Sequence, residues 1–341
     1  MTSTAKPAHW LDLTHECALE PGLPICDPHH HLWDVPQHRS QRYLLDELLA
    51  DIDDSGHNIR STVFMECAAM YRADGPVPLR PVGETEFVNG IAAMCASGIY
   101  GDIRACAAIV SFADLSSGAG VGEVLDAHLA ASARFRGIRH ASGWDASEQI
   151  RDSHTQPTAR LLENARFQRG FAELGKRNLT FDAWLYHPQI PELTRLARAF
   201  PDTTIIFDHL GGPLGIGPYA GQRDAIFKQW REDVSALAGC DNVVAKLGGL
   251  VMPINGLGFH KRDAPPGSDE IANKTRAYYL HMIDVFGANR CMFESNFPVD
   301  KASCSYGILW NVFKRITADF SPADKAALYH DTAVRIYNVH T

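Results

Sequence analysis

The stretch Ile25-Cys26-Asp27-Pro28-His29-His30-His31-Leu32-Trp33-Asp34 decides how this chain is read. A short apolar run, residues 23–26, ends in three histidines flanked by acids. Side chains alternate between the two faces of a strand. His29 and His31 therefore leave the strand end on one side, and His30 points away. Two imidazoles held side by side can clamp a metal ion or polarise one oxygen atom. The plainer alternative is a histidine-rich surface turn, so the motif needs a structural context.

The rest of the chain supplies it. Apolar runs at 23–27, 61–66, 103–110, 135–140, 180–185, 203–208, 242–247 and 290–295 are rich in Val, Ile, Phe and Thr. Several are almost continuously apolar, as strands buried on both faces are. Helical patterns alternate with them at 44–55, 84–97, 122–133, 158–177, 190–200, 223–237, 268–286 and 302–318. Within 158–177, Leu161, Leu162, Ala165, Phe167, Phe171 and Leu174 recur three or four apart, which gives one buried helix face. A last helix begins at Ser321-Pro322-Ala323-Asp324, with a capping serine, proline first and an acid in the first turn. Repeated strand–helix units predict an α/β fold, a single-domain parallel (βα)8 TIM barrel over residues 22–341. Residues 1–21 read as an N-terminal extension whose Trp10-Leu11 pair packs on the barrel. A doubly wound open sheet fits less well, because it has fewer strands and no Gly-rich phosphate loop follows the first run.

Composition narrows the function. The chain has 341 residues, 45% hydrophobic and 21% charged, as an ordinary globular protein has. A net charge of −8 without a basic block disfavours nucleic acid or an anionic membrane as partner. A small-molecule substrate is the expected partner, and a homo-oligomer is compatible with the sequence. The eight cysteines form no C-x-x-C pair and read as free thiols in a reducing compartment. No signal-like or membrane-length apolar run occurs, which makes the cytoplasm the default.

In a (βα)8 barrel the site lies at the carboxyl ends of the strands. Those ends carry His29 and His31; Glu66, followed by Tyr71, Arg72 and Arg80; Arg139 and His140; His187; Asp208 and His209; Lys246; and Glu294, Asn296 and Asp300. Trp144 and His154 stand in a long loop after strand four, and residues 251–267 are long enough for a lid. His281 and His330 fall in helices and read as structural.

At this point the ordered motifs resemble a known family. They are Asp27-Pro28-His29-His30-His31-Leu32-Trp33-Asp34, Gly137-Ile138-Arg139-His140, Asp208-His209-Leu210-Gly211-Gly212-Pro213, Lys246-Leu247-Gly248-Gly249-Leu250, Ser295-Asn296-Phe297-Pro298 and the closing Asp331 to Tyr337. The chain is similar, over about residues 23–337, to the amidohydrolase superfamily, in the branch of 2-pyrone-4,6-dicarboxylate lactonase and sugar lactonases. The resemblance implies a hydrolase that opens a small lactone, here expected to bear a carboxylate. His29 and His31 match the family's first-strand pair, and His209 its sixth-strand histidine. They would polarise the carbonyl, or hold one divalent metal such as zinc. Arg139 and His140 suit no bridge between two metals, so a binuclear site is not expected. At strand eight the family places an aspartate as general base and ligand, where this chain has Asn296. An amide takes no proton from water. The reading therefore tilts towards no required cofactor. Glu294 or Asp300 would activate water, with Asn296 positioning it. A structural pairing of Glu294 with Arg139 or Lys246 is the plainer alternative. Tyr71, Arg72, Arg139, His187 and Lys246 would bind substrate, the arginines by a fork on its carboxylate. Two other functions stay open: a metal-dependent decarboxylase of a related branch, and a barrel that only binds a ligand.

Overall fold

A computed structural model describes residues 10–35 and 42–339. The first nine residues of the expected N-terminal extension lie outside the described residues. Eight strands form one parallel sheet in chain order: β1 (Pro24–His30), β2 (Asn58–Met65), β3 (Arg104–Ser111), β4 (Phe135–Arg139), β5 (Thr180–Ala183), β6 (Ile205–Phe207), β7 (Val243–Leu247) and β8 (Cys291–Phe293). Helices α1 (Leu45–Ser55), α2 (Val82–Ala96), α3 (Gly122–Ala131), α4 (Ala165–Gly175), α5 (Ile190–Ala199), α6 (Arg223–Ala238), α7 (Ser268–Phe286) and α8 (Tyr306–Ile316) follow the strands in turn. This is the TIM barrel. The ring closes between β1 and the segment just past β8, where Asn296 N donates to His29 O (2.9 Å) and His31 N to Phe297 O (2.8 Å).

Two-residue alternation builds the interior. Cys26, Val63, Met65, Ala108, Val110, Ile206, Val244 and Met292 form one apolar cluster inside the ring, and Tyr337 and Val339 from the C-terminal segment join it. The outward-facing strand residues pack under the helices in a second, larger cluster. Two positions beyond Ile206, Val244 and Met292 come Asp208, Lys246 and Glu294, all fully buried. The barrel thus has an apolar floor and a charged upper layer.

Caps explain where helices differ from expectation. The pattern at 158–177 yields a helix only from Ala165, because the Asn164 side chain accepts from Arg166 N (2.8 Å) and Phe167 N (3.3 Å) and starts the helix there. The eighth helix starts at Tyr306 rather than 302, since Ser305 Oγ caps it by accepting from Ile308 N. Ser321 caps α9 (Pro322–Ala326) as its sequence implies. The N-terminal segment reaches the 251–267 loop: Trp10 Nε1 donates to Arg262 O (2.9 Å) and Thr14 Oγ1 to Pro265 O (2.7 Å). Phe259 and Asn255 are fully buried, and Asn255 Nδ2 donates to Gly249 O (2.8 Å). That loop, expected as a lid, is anchored at several points. No helix among the described residues is long and apolar enough to cross a membrane.

Candidate active site

A register shift between Asp27 and His30 ends β1 and re-aims its side chains. His30 turns away from the axis, with Nε2 2.8 Å from Thr62 Oγ1. His29 and His31 turn inward, with their Nε2 atoms 3.2 Å apart. His31 Nδ1 donates to Met65 O (2.8 Å), because a carbonyl can only accept, and this leaves a lone pair on Nε2.

His209 follows β6 through a strained turn. His209 and Leu210 both take the left-handed backbone, φ 54° and 55°, before Gly211 and Gly212. The ring then lies over the Gly248-Gly249 pair. A Cβ on Gly249 would stand 2.6 Å from His209 Nδ1, and one on Gly248 would stand 2.3 Å from Glu294 Cγ. Only glycines leave room for these two side chains.

Glu294 is the hub. The regular strand through Met292 carries it inward. Its Oε1 accepts from His209 Nδ1 (2.6 Å) and from the His209 backbone N–H (3.3 Å). Its Oε2 lies 2.8 Å from His29 Nδ1, at ion-pair distance but without hydrogen-bond alignment. We assign the Nδ1 proton of His209 to this carboxylate, which frees its Nε2, whereas His29 Nε2 accepts from Arg139 Nη1 (3.2 Å) and so carries its proton on Nδ1, facing Glu294. Lys246 Nζ is 3.4 Å from His29 Nδ1. The ammonium is held chiefly by Asp182 Oδ1 (2.7 Å) and Asp208 Oδ1 (3.3 Å). The Tyr337 hydroxyl donates to the same Asp182 oxygen.

These charges are dry. Burial pushes Glu294 up to about 8 and Asp208 up to about 6, with Lys246 pulling both down. Burial holds His209 down at about 3 and keeps His29 and His31 well below the usual imidazole value. Asp182, Asp208 and Glu294 face a single ammonium, so full ionisation would leave two uncompensated negative charges in the core. Such charge must be balanced by protons or a cation. Asp208 has no hydrogen bond to either oxygen. His29, Asp208 and His209 offer ligand atoms within 4.8 Å of one another. The 3.2 Å between His29 Nε2 and His31 Nε2 is close to the edge of a tetrahedron with bonds of about 2.0–2.1 Å. The donor chemistry therefore allows one divalent ion on His29, Asp208 and His209, with Asp208 added to the expected ligands and His31, though 3.2 Å from His29, outside that group.

The remaining expected residues divide. Arg139 reaches the centre, but its Nε donates to Glu66 Oε1 (2.7 Å), its Nη2 to Glu66 O, and its Nη1 to His29 Nε2 (3.2 Å). The expected free fork is already engaged. His154 Nε2 holds the other oxygen of Glu66 (3.0 Å). Asn296 sits at φ 55° and its amide donates to Asp300 Oδ1 (3.1 Å), so it is committed to that carboxyl rather than to a water. Burial pushes Asp300 well above the usual carboxylate range, which favours its neutral form. Lys246 is sealed beneath the histidines, with no surface for substrate. Arg72 is not brought to the site: it is exposed and paired with Glu86 (Nε–Oε2 3.0 Å). His187 accepts from Leu214 N (3.2 Å) and packs on Tyr219, within the β5 and β6 loops. Tyr71 is half-buried, its hydroxyl pushed up first by burial and then by Glu84 and Glu66. His140 faces away and accepts from Leu115 N (3.3 Å), so it bridges no metals.

Asp182 and Trp184, whose ring meets His209 at 4.9 Å, were not singled out from sequence, and Glu66, Asp208 and His154 were placed at strand ends or in a loop without a role. The signal for the two aspartates was present. Each stands two positions beyond an inward strand residue, where a lone acid inside a barrel needs a partner.

Residues 26–339 match the amidohydrolase family. The chain belongs to that family. This amidohydrolase is 32% identical to the uncharacterized protein y4mH of Sinorhizobium fredii, over 93% of this chain and 99% of that one. It is 26% identical to an L-fucono-1,5-lactonase of Burkholderia multivorans, over 60% of this chain and 63% of that one. Among solved structures it resembles an amidohydrolase of Burkholderia multivorans with bound zinc, with a TM-score of 0.68, 23% identity, and 93% and 99% of the two chains covered. Family membership makes the chain a hydrolase, and the branch expected from the motifs is the one found.

Proposed function

We propose that this amidohydrolase opens the ring of a small lactone by attack of water at the carboxyl ends of the strands. The observation that carries the reading is Glu294 bridging two imidazoles. A carboxylate that accepts the His209 Nδ1 proton fixes that tautomer and presents the His209 Nε2 lone pair to the mouth, while it balances His29 at ion-pair distance. His209, the ring next to Trp184, takes a proton from the attacking water at Nε2. Glu294 stabilises the imidazolium that forms. Arg139, held on Glu66 and His29, places its positive charge beside the oxyanion of the tetrahedral intermediate. When that intermediate collapses, the carbon–oxygen bond of the ring breaks, and His209 returns its proton to the departing ring oxygen. A divalent ion, where bound, would be held by His29, Asp208 and His209 and would supply Lewis-acid polarisation of the carbonyl, and His209 would then serve as a ligand and not as the base.

All these residues come from one chain, so the reading needs no second copy. Eight unpaired cysteines support a reducing compartment, and we place the protein in the cytoplasm. The test is hydrolysis of a lactone panel by wild type and His209→Asn. Loss of on the order of 10²-fold or more in turnover is expected, with thermal stability retained. Wild-type turnover in the variant removes His209 from the mechanism. Carbon dioxide release from aromatic acids, without lactone opening, would instead favour the decarboxylase.

A further inference from the structure

We infer that the substrate is a neutral lactone, and that Glu66 sets this preference by keeping the Arg139 guanidinium occupied. The inference rests on the lactone reading above and reverses the expectation of a carboxylate-bearing substrate. That expectation needed an arginine fork free to grip an anion. Arg139 is the cation at the mouth, and all three of its nitrogens are engaged: Nε and Nη2 by Glu66, Nη1 by His29. Its side chain is only 7% exposed. Glu66 is itself fixed. It continues β2, with its backbone N donating to Val110 O (2.9 Å), and His154 holds its second oxygen. Its buried neighbour Glu84 is pushed up to about 8 and so does not compete for the guanidinium at neutral pH.

The other cations nearby are matched as well. Lys246 is fully buried on Asp182 and Asp208. A cavity of about 770 Å³ lies beside Cys67 and Trp33, whose ring stacks on His31, and among the described residues its lining cations are Arg42 and Lys301. Arg42 is paired with Glu47, and Lys301 Nζ lies 2.7 Å from both oxygens of Asp51. Within the network Glu66, Asp182, Asp208 and Glu294 outnumber Arg139 and Lys246. An anionic substrate would add a charge to a buried, negatively biased site that, among the described residues, offers it no unpaired cation.

The experiment compares 1,5-lactones of neutral sugars with ring-matched lactones bearing a carboxylate. Wild type is expected to favour the neutral series in kcat/KM by at least roughly tenfold. Glu66→Gln keeps the shape and removes the charge that neutralises Arg139. It should move the ratio towards the carboxylated series by roughly tenfold or more. Preference of the wild type for carboxylated lactones, or an unchanged ratio in Glu66→Gln, overturns the inference. Arg139→Gln guards against a misfolded Glu66 variant. Equal losses on both series support the inference, and selective loss on the carboxylated series overturns it. If neither series is hydrolysed, the lactone reading fails. Calorimetry with the corresponding lactams then still decides on charge, since tighter binding of the neutral lactam supports the preference and tighter binding of the carboxylated one ends it.

Discussion

Glu294→Gln separates a hub from a bystander. The carboxylate receives His209 Nδ1 at 2.6 Å and the His209 backbone N–H at 3.3 Å, and lies 2.8 Å from His29 Nδ1. An amide keeps the shape but has one acceptor oxygen, and its NH2 must face an imidazole N–H. Each charge-assisted bond is worth about 1.5–3 kcal/mol, so two weakened bonds and one misplaced tautomer amount to about 3–5 kcal/mol of barrier. That corresponds to a fall in kcat of roughly 10²–10⁴-fold. Stability should change far less, because burial already holds the Glu294 pKa near 8 and its charge adds little to folding. The sign is definite. A carboxyl raised in the folded state contributes stability in full below its unfolded pKa and loses it as pH rises through about 8, so the variant should flatten that alkaline decline. The assays are lactone turnover and urea unfolding at pH 6 to 9. Turnover within about threefold of wild type, or an activity loss matched by global unfolding, would refute the reasoning.

Other outcomes follow from the same geometry. Asn296→Asp should not raise hydrolysis: it sets a carboxylate where the amide now donates to Asp300 at 3.1 Å, and like charges there force one to stay protonated; a rise in kcat would instead mean a decayed base at this position. Gly249→Ala should cost roughly 1–2 kcal/mol for its φ of +69° and, by pressing on His209 Nδ1, lower turnover as well; unchanged kcat would show that His209 tolerates displacement. Metal-free protein in equilibrium dialysis should take up one zinc per chain, and Asp208→Asn should weaken that binding; equal uptake by the variant would strike Asp208 from the ligand set. Burial lowers His128 to about 4, so its contribution to stability is present above pH 6.5 and lost as pH falls towards 4, by at most about 3 kcal/mol; a denaturation series should show a smaller acid loss in His128→Gln.

The barrel was legible because it is written in period-two and period-3.6 repeats, which depend on neighbours in sequence. The inward turn of Glu294 followed from the same alternation, whereas that of His29 and His31 needs the register shift between Asp27 and His30. What sequence left hidden is who holds whom. Glu294 was expected to activate water or to pair with Arg139 or Lys246, yet it bridges two histidines, and Arg139 is claimed by Glu66, 73 positions away. Such partnerships depend on which strand ends meet across the ring. Caps such as Asn164 and Ser305 were readable as residue types but not as the points where α4 and α8 would start. The two consecutive left-handed residues at His209 and Leu210 had no local signature beyond the glycines after them.

The seam that closes the ring has a further consequence. Asn296 and Phe297 meet His29 and His31 there, and Ser295 N donates to Asp27 Oδ1, joining positions 268 residues apart. Contacts of such separation carry a large loop-closure cost and are expected to form late in folding. The histidine pair and its carboxylate hub stand on opposite lips of that last join. A chain caught partway through folding would therefore carry no half-built reactive centre. During unfolding, activity should disappear at the first parting of the seam, before the helices outside it have begun to fray.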